Sequence, residues 1–129
     1  MDKESTLKLY HHLFSYISKI DVVSVYVDDK EYQEAFSSSK FIRLVKNINE
    51  ADFVMVTSDK VLSLVKKSKL NNKSILFATN YRYLKKFERI IGAFYWKKSR
   101  FQYLFLKKRL KAQHIKLPPA YRKYILDEL

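Results

Sequence analysis

The sequence has no cysteine, one glycine and two prolines among its 129 residues. Without cysteine there can be no disulfide, no thiolate nucleophile and no Cys-ligated zinc or iron–sulfur centre. Because Gly92 is the only glycine, neither the G-x-x-x-x-G-K-[ST] loop nor the G-x-G-x-x-G loop can be present, so the usual glycine-rich phosphate cradles are excluded. The scarcity of glycine and proline also leaves little room for flexible linkers.

Long apolar runs and internal repeats are absent as well. No run reaches about 18 apolar residues, so no segment is expected to span a membrane, and residues 1–5 lack the apolar stretch of a secretory signal. The composition is 47% apolar and 16% aromatic, which is enough to build one core. We therefore expect a single α/β domain over residues 1–129, which we interpret as a mature or excised fragment.

Acidic residues are scarce in only one part of the chain. The net charge of the chain is +13. Residues 1–80 carry 12 basic and 10 acidic side chains, whereas residues 81–129 carry 14 basic and 3 acidic ones. Charge this uneven favours a surface that meets nucleic acid, a membrane or an acidic protein. The alternative is a coding bias, because 20 of the 26 basic residues are lysine.

Hydrophobic periodicity predicts alternating helices and strands. Ser5 can cap a first helix, in which Leu9, Leu13, Ile17 and Ile20 recur at spacings of three and four. Further helices are expected at 30–37, from 59 to about Asn71-Asn72, and at 80–87, 107–113 and 120–126. Apolar runs predict strands at 22–27, 41–45, 52–56, 74–79, 90–96 and 101–106.

This alternation implies βαβ crossovers and a partly parallel sheet. The last two strands flank Lys97-Lys98-Ser99-Arg100, which predicts an antiparallel hairpin with a basic four-residue loop. The expected fold is a compact mixed sheet of five to six strands with helices packed on both faces, followed by a C-terminal hairpin and closing helices.

The residues that could carry catalysis have structural interpretations. His11 and His12 are adjacent and so diverge on a helix, whereas two metal ligands need a spacing of three or four; His114 has no nearby partner. Asp28-Asp29 and Ser58-Asp59 follow strands, where ligands bind in α/β sheets, but both pairs also suit helix N-caps. An enzyme would require these two loops to converge. We expect no catalytic set, no metal and no cofactor.

Aromatic side chains interleaved with basic ones are the strongest candidates for a binding site. Such a pattern can stack bases and neutralise phosphates, although alternation in a hairpin also turns every second aromatic into the core. The residues expected to bind an anion or a partner are Tyr81, Arg82, Lys85, Lys86, Trp96, Lys97, Lys98 and Arg100.

The order of segments resembles a known family. An aromatic and aliphatic helix is followed by a strand at 22–27, a strand ending in Ala51-Asp52-Phe53-Val54-Met55-Val56-Thr57-Ser58, a strand at 74–79, the segment Ile91-Gly92-Ala93-Phe94, a second hairpin strand and a closing amphipathic segment at 106–125. This succession resembles the YfiR-like family of small periplasmic regulators. Ile91 and Gly92 stand where that family often has paired glycines.

The resemblance implies a non-enzymatic periplasmic domain that binds and restrains a membrane signalling protein, such as a diguanylate cyclase or a receptor kinase. It also allows a small anionic ligand and a homodimer. Redox control is not implied, because the cysteines of well-known family members are absent. The alternative prediction is a cytoplasmic nucleic-acid-binding domain that uses residues 81–86 and 97–100.

Overall fold

The computed structural model describes residues 2–68, 70, 73–98 and 100–127. Its helices are α1 (Lys3–Ile17), α2 (Lys30–Ser37), α3 (Asp59–Lys67) and α4 (Lys107–Ala112), with 3₁₀ helices at Ile48–Glu50, Tyr81–Lys85 and Pro119–Tyr124. Its strands are β1 (Val23–Tyr26), β2 (Ile42–Leu44), β3 (Phe53–Val56), β4 (Ile75–Ala78), β5 (Ile90–Lys97), β6 (Arg100–Leu106) and β7 (Ile125–Leu126).

The strands form one sheet in the order β2-β1-β3-β4-β5-β6-β7. Strands β1 to β5 are parallel, β6 runs antiparallel to β5, and β7 runs parallel to β6. The chain reverses its direction of travel across the sheet between β1 and β3, which is where open α/β sheets form a crevice at their carboxyl edge. The expected α/β class and the mixed sheet are confirmed.

The number of strands differs from the five to six predicted. The seventh is β7, which pairs with Phe105 and Leu106 at a place where a closing helix over 120–126 was predicted. Only a 3₁₀ helix, Pro119–Tyr124, forms there, because Ile125 and Leu126 extend to pair with β6. The hairpin loop is also shorter than predicted, since Lys97 and Arg100 pair as strand residues.

Helices α1, α2 and α3 each begin after a residue whose side chain accepts a hydrogen bond from a free backbone N–H group of the first turn. Asp29 and Ser58 accept from the N–H groups of Tyr32 and Val61 and so cap α2 and α3, as the sequence suggested. The cap of α1 is Asp2 rather than Ser5. Helix α3 ends at Lys67; the predicted end at Asn71-Asn72 lies outside the described residues.

Two hydrophobic layers cover the sheet. On the first face, α1 and α2 pack aromatic rings on β3, β4 and β5: Phe14 stacks on Phe53 with ring centroids 4.2 Å apart, and Tyr10 lies 5.0 Å from Phe94. On the second face, α3 and the first two 3₁₀ helices bury Val61, Val65 and Leu84 against the sheet, among others. This double cover explains why β3 is a continuous apolar run buried at every position.

Gly92 permits a close approach between β5 and β6. A Cβ atom at this position would lie 2.5 Å from the carbonyl oxygen of Leu104 and 2.8 Å from the ring of Phe105. The register between β4 and β5 also shifts next to it, between Leu76 and Phe77. The only glycine in the chain therefore stands where a side chain would collide with the neighbouring backbone.

Residues after β6 fasten the C-terminal segment to the sheet. Arg109 donates to the backbone carbonyls of Phe87, Ile90 and Leu84 at 3.2, 2.8 and 2.7 Å. Burial lowers the pKa of this guanidinium from its ordinary value, but three carbonyl acceptors compensate the loss of water. Arg109 thus holds the Tyr81–Lys85 3₁₀ helix against the start of β5.

Helix α4 ends in a Schellman motif that lacks glycine. The N–H of Ile115 donates to Leu110 and the N–H of His114 donates to Lys111, the two bonds of that motif. His114 occupies the position with positive φ, 58°, which usually takes glycine because other residues are strained there. The turn fixes the direction in which the chain leaves α4.

Candidate functional site

The sheet order converts the uneven charge of the sequence into an uneven surface. Strands β5, β6 and β7 are consecutive at one side of the sheet, and the segments that join them belong to the strongly basic residues 81–129. The other side, from β2 to β4, belongs to residues 1–80, in which acidic and basic side chains nearly balance. The molecule therefore has one basic side.

We use the name basic surface for the eight residues predicted to bind an anion or a partner. Seven of them are exposed and Trp96 is half-buried. They come from two elements, the 3₁₀ helix after β4 and the β5–β6 hairpin: Tyr81, Arg82, Lys85, Lys86, Trp96, Lys97, Lys98 and Arg100.

A ring contact joins these two elements. The ring of Tyr81, whose side chain is 50% exposed, lies 5.7 Å from the ring of Tyr95 on β5. Strand alternation places Lys97 and Arg100 on the same face as Tyr95. The structure thus brings Tyr81, Lys97 and Arg100 to one face at the carboxyl edge of the parallel strands.

Trp96 lies on the opposite face of the sheet. Its ring packs 4.5 Å from Phe101, which in turn contacts Tyr10 of α1. The indole Nε1 is buried and has no hydrogen-bond partner in the part of the chain that the structure describes. Trp96 is therefore separated by the sheet from the other aromatic of the basic surface.

No acidic side chain among the described residues pairs with the cations of the hairpin. Lys97 and Arg100 are direct cross-strand neighbours, and like charges in that arrangement repel. Lys98 completes the turn with φ 52°. Over the described residues, none of these three forms an ion pair. Three mutually repelling cations at one tip form a surface that an anionic group would stabilise.

Lys86 lies toward the neighbouring strand instead. Its Nζ is 3.6 Å from Asp59 Oδ1, at the start of α3, and 5.9 Å from the centre of the Tyr83 ring. Both partners of this ion pair are exposed, so its contribution to stability is small. Lys86 marks the border between the basic side and the more balanced remainder of the carboxyl edge.

The two loops that an enzyme would require do meet, because β1 and β3 are adjacent. Thr57 donates a hydrogen bond to Asp28 across them. Asp29 and Ser58 are occupied as helix caps, and Asp59 faces Lys86. The polar groups of both loops thus hold helix ends and each other in place.

The histidines lie on two elements of the fold, α1 and the turn after α4. His11 stacks on Phe41 with ring centroids 4.5 Å apart, and the rings of His11 and His12 are 6.2 Å apart. His114 belongs to the turn after α4. Within residues 2–68, 70, 73–98 and 100–127, no group of three or more metal-ligating side chains could hold an ion.

Sequence reasoning missed a groove on the first face, between α1 and the C-terminal segment. One part is lined by tyrosines and the other by lysines, and Tyr16 borders both. Tyr16 is 49% exposed and its ring lies 5.8 Å from that of Tyr121. The lysines could be seen in the sequence, but their convergence depends on how the segment after α4 returns to α1.

The chain matches no protein-family model and no curated protein. Among the described helices, none is both long and apolar enough to cross a membrane.

Proposed function

We propose that this chain is a non-enzymatic regulatory domain, similar to the YfiR-like periplasmic proteins, that uses its basic surface to bind an acidic face of a membrane signalling protein. The observation that carries the proposal is the hairpin tip, where Lys97, Lys98 and Arg100 project together without counter-ions among the described residues. A surface that is destabilised by its own charge is expected where a partner supplies the opposite charge.

Rigidity of the platform supports the proposal. The hairpin is a continuation of the central sheet, and the 3₁₀ helix beside it is fixed by the contacts of Arg109 and by the Tyr81–Tyr95 ring contact. A preorganised surface loses little conformational entropy when a partner binds. The basic surface therefore has the character of a docking site rather than of a flexible tail.

The order of elements supports the family resemblance. An N-terminal helix, four parallel strands, a hairpin strand that carries Gly92 and a returning strand occur in the order on which the resemblance is based. The close approach at Gly92 gives that residue a physical role in joining β5 to β6. The membrane partner, a diguanylate cyclase or a receptor kinase, follows from the resemblance alone.

Site-specific cross-linking tests the docking surface. A photoreactive amino acid at Lys98, in the full-length product of the gene in its own host, should give an adduct with a membrane signalling protein. The double reversal Lys97→Glu and Arg100→Glu should remove that adduct, because it replaces attraction with repulsion. A photoreactive residue at Lys40, which lies between α2 and β2, is the matched control.

Two results would contradict the proposal. One is the same adduct pattern from positions 98 and 40, which would mean that the tip has no preferred partner. The other is recovery of the full-length gene product in the cytoplasm after cell fractionation, because the proposed partner is met outside it. An exported product with an adduct that the reversal removes would support both parts of the proposal.

Nucleic-acid binding is the second candidate, favoured by the exposed ring of Tyr81 beside uncompensated cations. Such a surface would bind single-stranded oligonucleotides with an affinity that falls steeply as salt rises, because neutralised phosphates release counter-ions. Filter binding at two salt concentrations distinguishes the candidates. No retention at low salt would remove the nucleic-acid proposal and leave the docking proposal in place.

A further inference from the structure

The groove between α1 and the C-terminal segment joins two kinds of wall. The tyrosine pocket, of about 300 Å³, is lined by Leu9, His12, Tyr16, Tyr103, Ala120 and Tyr121. The lysine pocket, of about 490 Å³, is lined by Tyr16 and Ile17 together with Lys19, Lys111, His114 and Lys116. Tyr16 borders both pockets, so the two lie next to each other. The size of each lies in the range of small-molecule sites.

The lysine pocket is a cationic site. No carboxylate lines it, and none of its three lysines forms an ion pair over the described part of the chain. Helices α1 and α4 end close by, at Ile17 and Ala112, and helix carboxyl ends attract cations. That attraction accounts for lysines near the two helix ends, but it does not account for the tyrosine wall beside them.

Three of the residues that line the tyrosine pocket are tyrosines, namely Tyr16, Tyr103 and Tyr121. Tyr16, Tyr103 and Tyr121 form a chain of ring contacts with centroids 5.8 and 5.9 Å apart. Burial raises the pKa of both Tyr103 and Tyr121 above the ordinary value, so these hydroxyls stay protonated at neutral pH. Stacking on aromatic side chains suits a planar ring such as a nucleobase.

The walls of the groove are fixed by the fold. The Schellman turn sets the course of the chain from Lys111 through His114 to Ile115, and the half-buried Ile115 packs against the first-face core. Tyr121 is held between Phe105 and Tyr16 by ring contacts. A site that is formed before its ligand arrives loses little entropy on binding.

We propose that this groove binds a nucleoside phosphate, with the base against the tyrosine wall and the phosphate among the lysines. The site lies near the amino edge of the parallel strands, where α1 ends, and the basic surface lies at their carboxyl edge. The two proposals therefore concern different residues, and either can fail without the other.

Calorimetric titration of the full chain with AMP, adenosine and inorganic phosphate tests the groove. AMP is expected to bind at least about tenfold more tightly than either fragment, because it engages both pockets at once. Tyr16→Ser should weaken the binding of AMP and of adenosine and leave the affinity for phosphate unchanged. The double variant Lys111→Gln and Lys116→Gln should weaken the binding of AMP about tenfold and leave the affinity for adenosine unchanged.

The matched control is Lys66→Gln with Lys67→Gln, at the end of α3 on the second face, which removes the same charge. All substituted side chains are exposed, and equal melting temperatures would show that the variants fold. The proposal is overturned if AMP gives no heat of binding at millimolar concentration or binds no more tightly than phosphate. It is also overturned if the double variant at positions 66 and 67 weakens AMP binding as much as the double variant at positions 111 and 116.

Discussion

The hairpin tip provides a quantitative test of the idea that its charge serves binding at the expense of stability. Lys97 and Arg100 face each other across the antiparallel pair, so Lys97→Glu replaces a repulsive cross-strand pair with an attractive one. Cross-strand pairs contribute about 0.2–1 kcal/mol, and exposed ion pairs lie at the low end of that range. Loss of the repulsion and gain of the attraction together should stabilise the fold by about 0.5–1 kcal/mol.

Thermal unfolding followed by circular dichroism measures this effect. A gain of that size should raise the melting temperature by about 2–4 °C in a chain of this length. In 1 M salt the Debye length falls to about 3 Å, so most of the gain should disappear. Lys40→Glu, which lowers the net charge equally but lies in the loop before β2, separates the local effect from the general relief of self-repulsion.

Two outcomes would refute the reasoning. If Lys97→Glu melts at or below the temperature of the unsubstituted protein, the two charges do not oppose each other at the tip. If Lys40→Glu gives an equal gain, the stabilisation comes from net charge and the hairpin is not special. When the tip is a docking site, the same Lys97→Glu that stabilises the fold should also abolish the cross-link at position 98.

Three other predictions concern the fold that presents these surfaces. Gly92→Ala should destabilise by about 2–3 kcal/mol in urea unfolding, because its Cβ meets a backbone oxygen that cannot move aside; an unchanged midpoint would contradict this. His114→Gly should raise stability by up to about 1 kcal/mol in the same assay by relieving the positive φ, whereas a loss would mean that the side chain holds the turn. Burial raises the pKa of Tyr32 to about 12. The stability that its protonated hydroxyl contributes to the fold is therefore complete below pH 10 and is lost as the pH rises from about 10 to 12. Tyr32→Phe should therefore unfold at a higher pH in an alkaline titration followed by circular dichroism, and an unchanged midpoint would contradict this.

Local signals in the sequence predicted most of the elements because each signal acts over a few residues. Asp29 and Ser58 cap α2 and α3 since their side chains reach the backbone three residues ahead. The strands from β1 to β6 follow from runs of β-branched and aromatic residues. Such effects do not require knowledge of the rest of the chain.

The elements that sequence reasoning misplaced depend on distant contacts. Strand β7 has only two residues, and it exists because Ile125 and Leu126 meet the end of β6. Ser5 suited a cap as well as Asp2 does, and the choice between them depends on where the preceding backbone lies. The short hairpin loop depends on Lys97 and Arg100 pairing despite their charge, which a rule for polar loops does not anticipate.

The same distinction between local signals and distant contacts applies to the two candidate sites. Tyr81, Lys97 and Arg100 could be selected from the sequence, because aromatic and basic residues alternate visibly along the chain. Their separation from Trp96 by the sheet follows from strand alternation once the pairing is known. The groove could not be predicted, because Tyr16 and Lys111 become neighbours of one cavity only through the return of the chain after α4.

A coding bias toward lysine does not by itself explain the basic side. Such a bias adds lysine throughout the chain, and lysines do occur on α1, α2 and α3 as well as in the C-terminal third. It does not remove aspartate and glutamate, yet residues 81–129 hold 3 of the 13 acidic side chains. Because the sheet order gathers that part of the chain on one side, what distinguishes the basic side is the scarcity of acidic residues there. Selection for an anionic partner would produce that scarcity, since each added carboxylate would weaken binding at the tip.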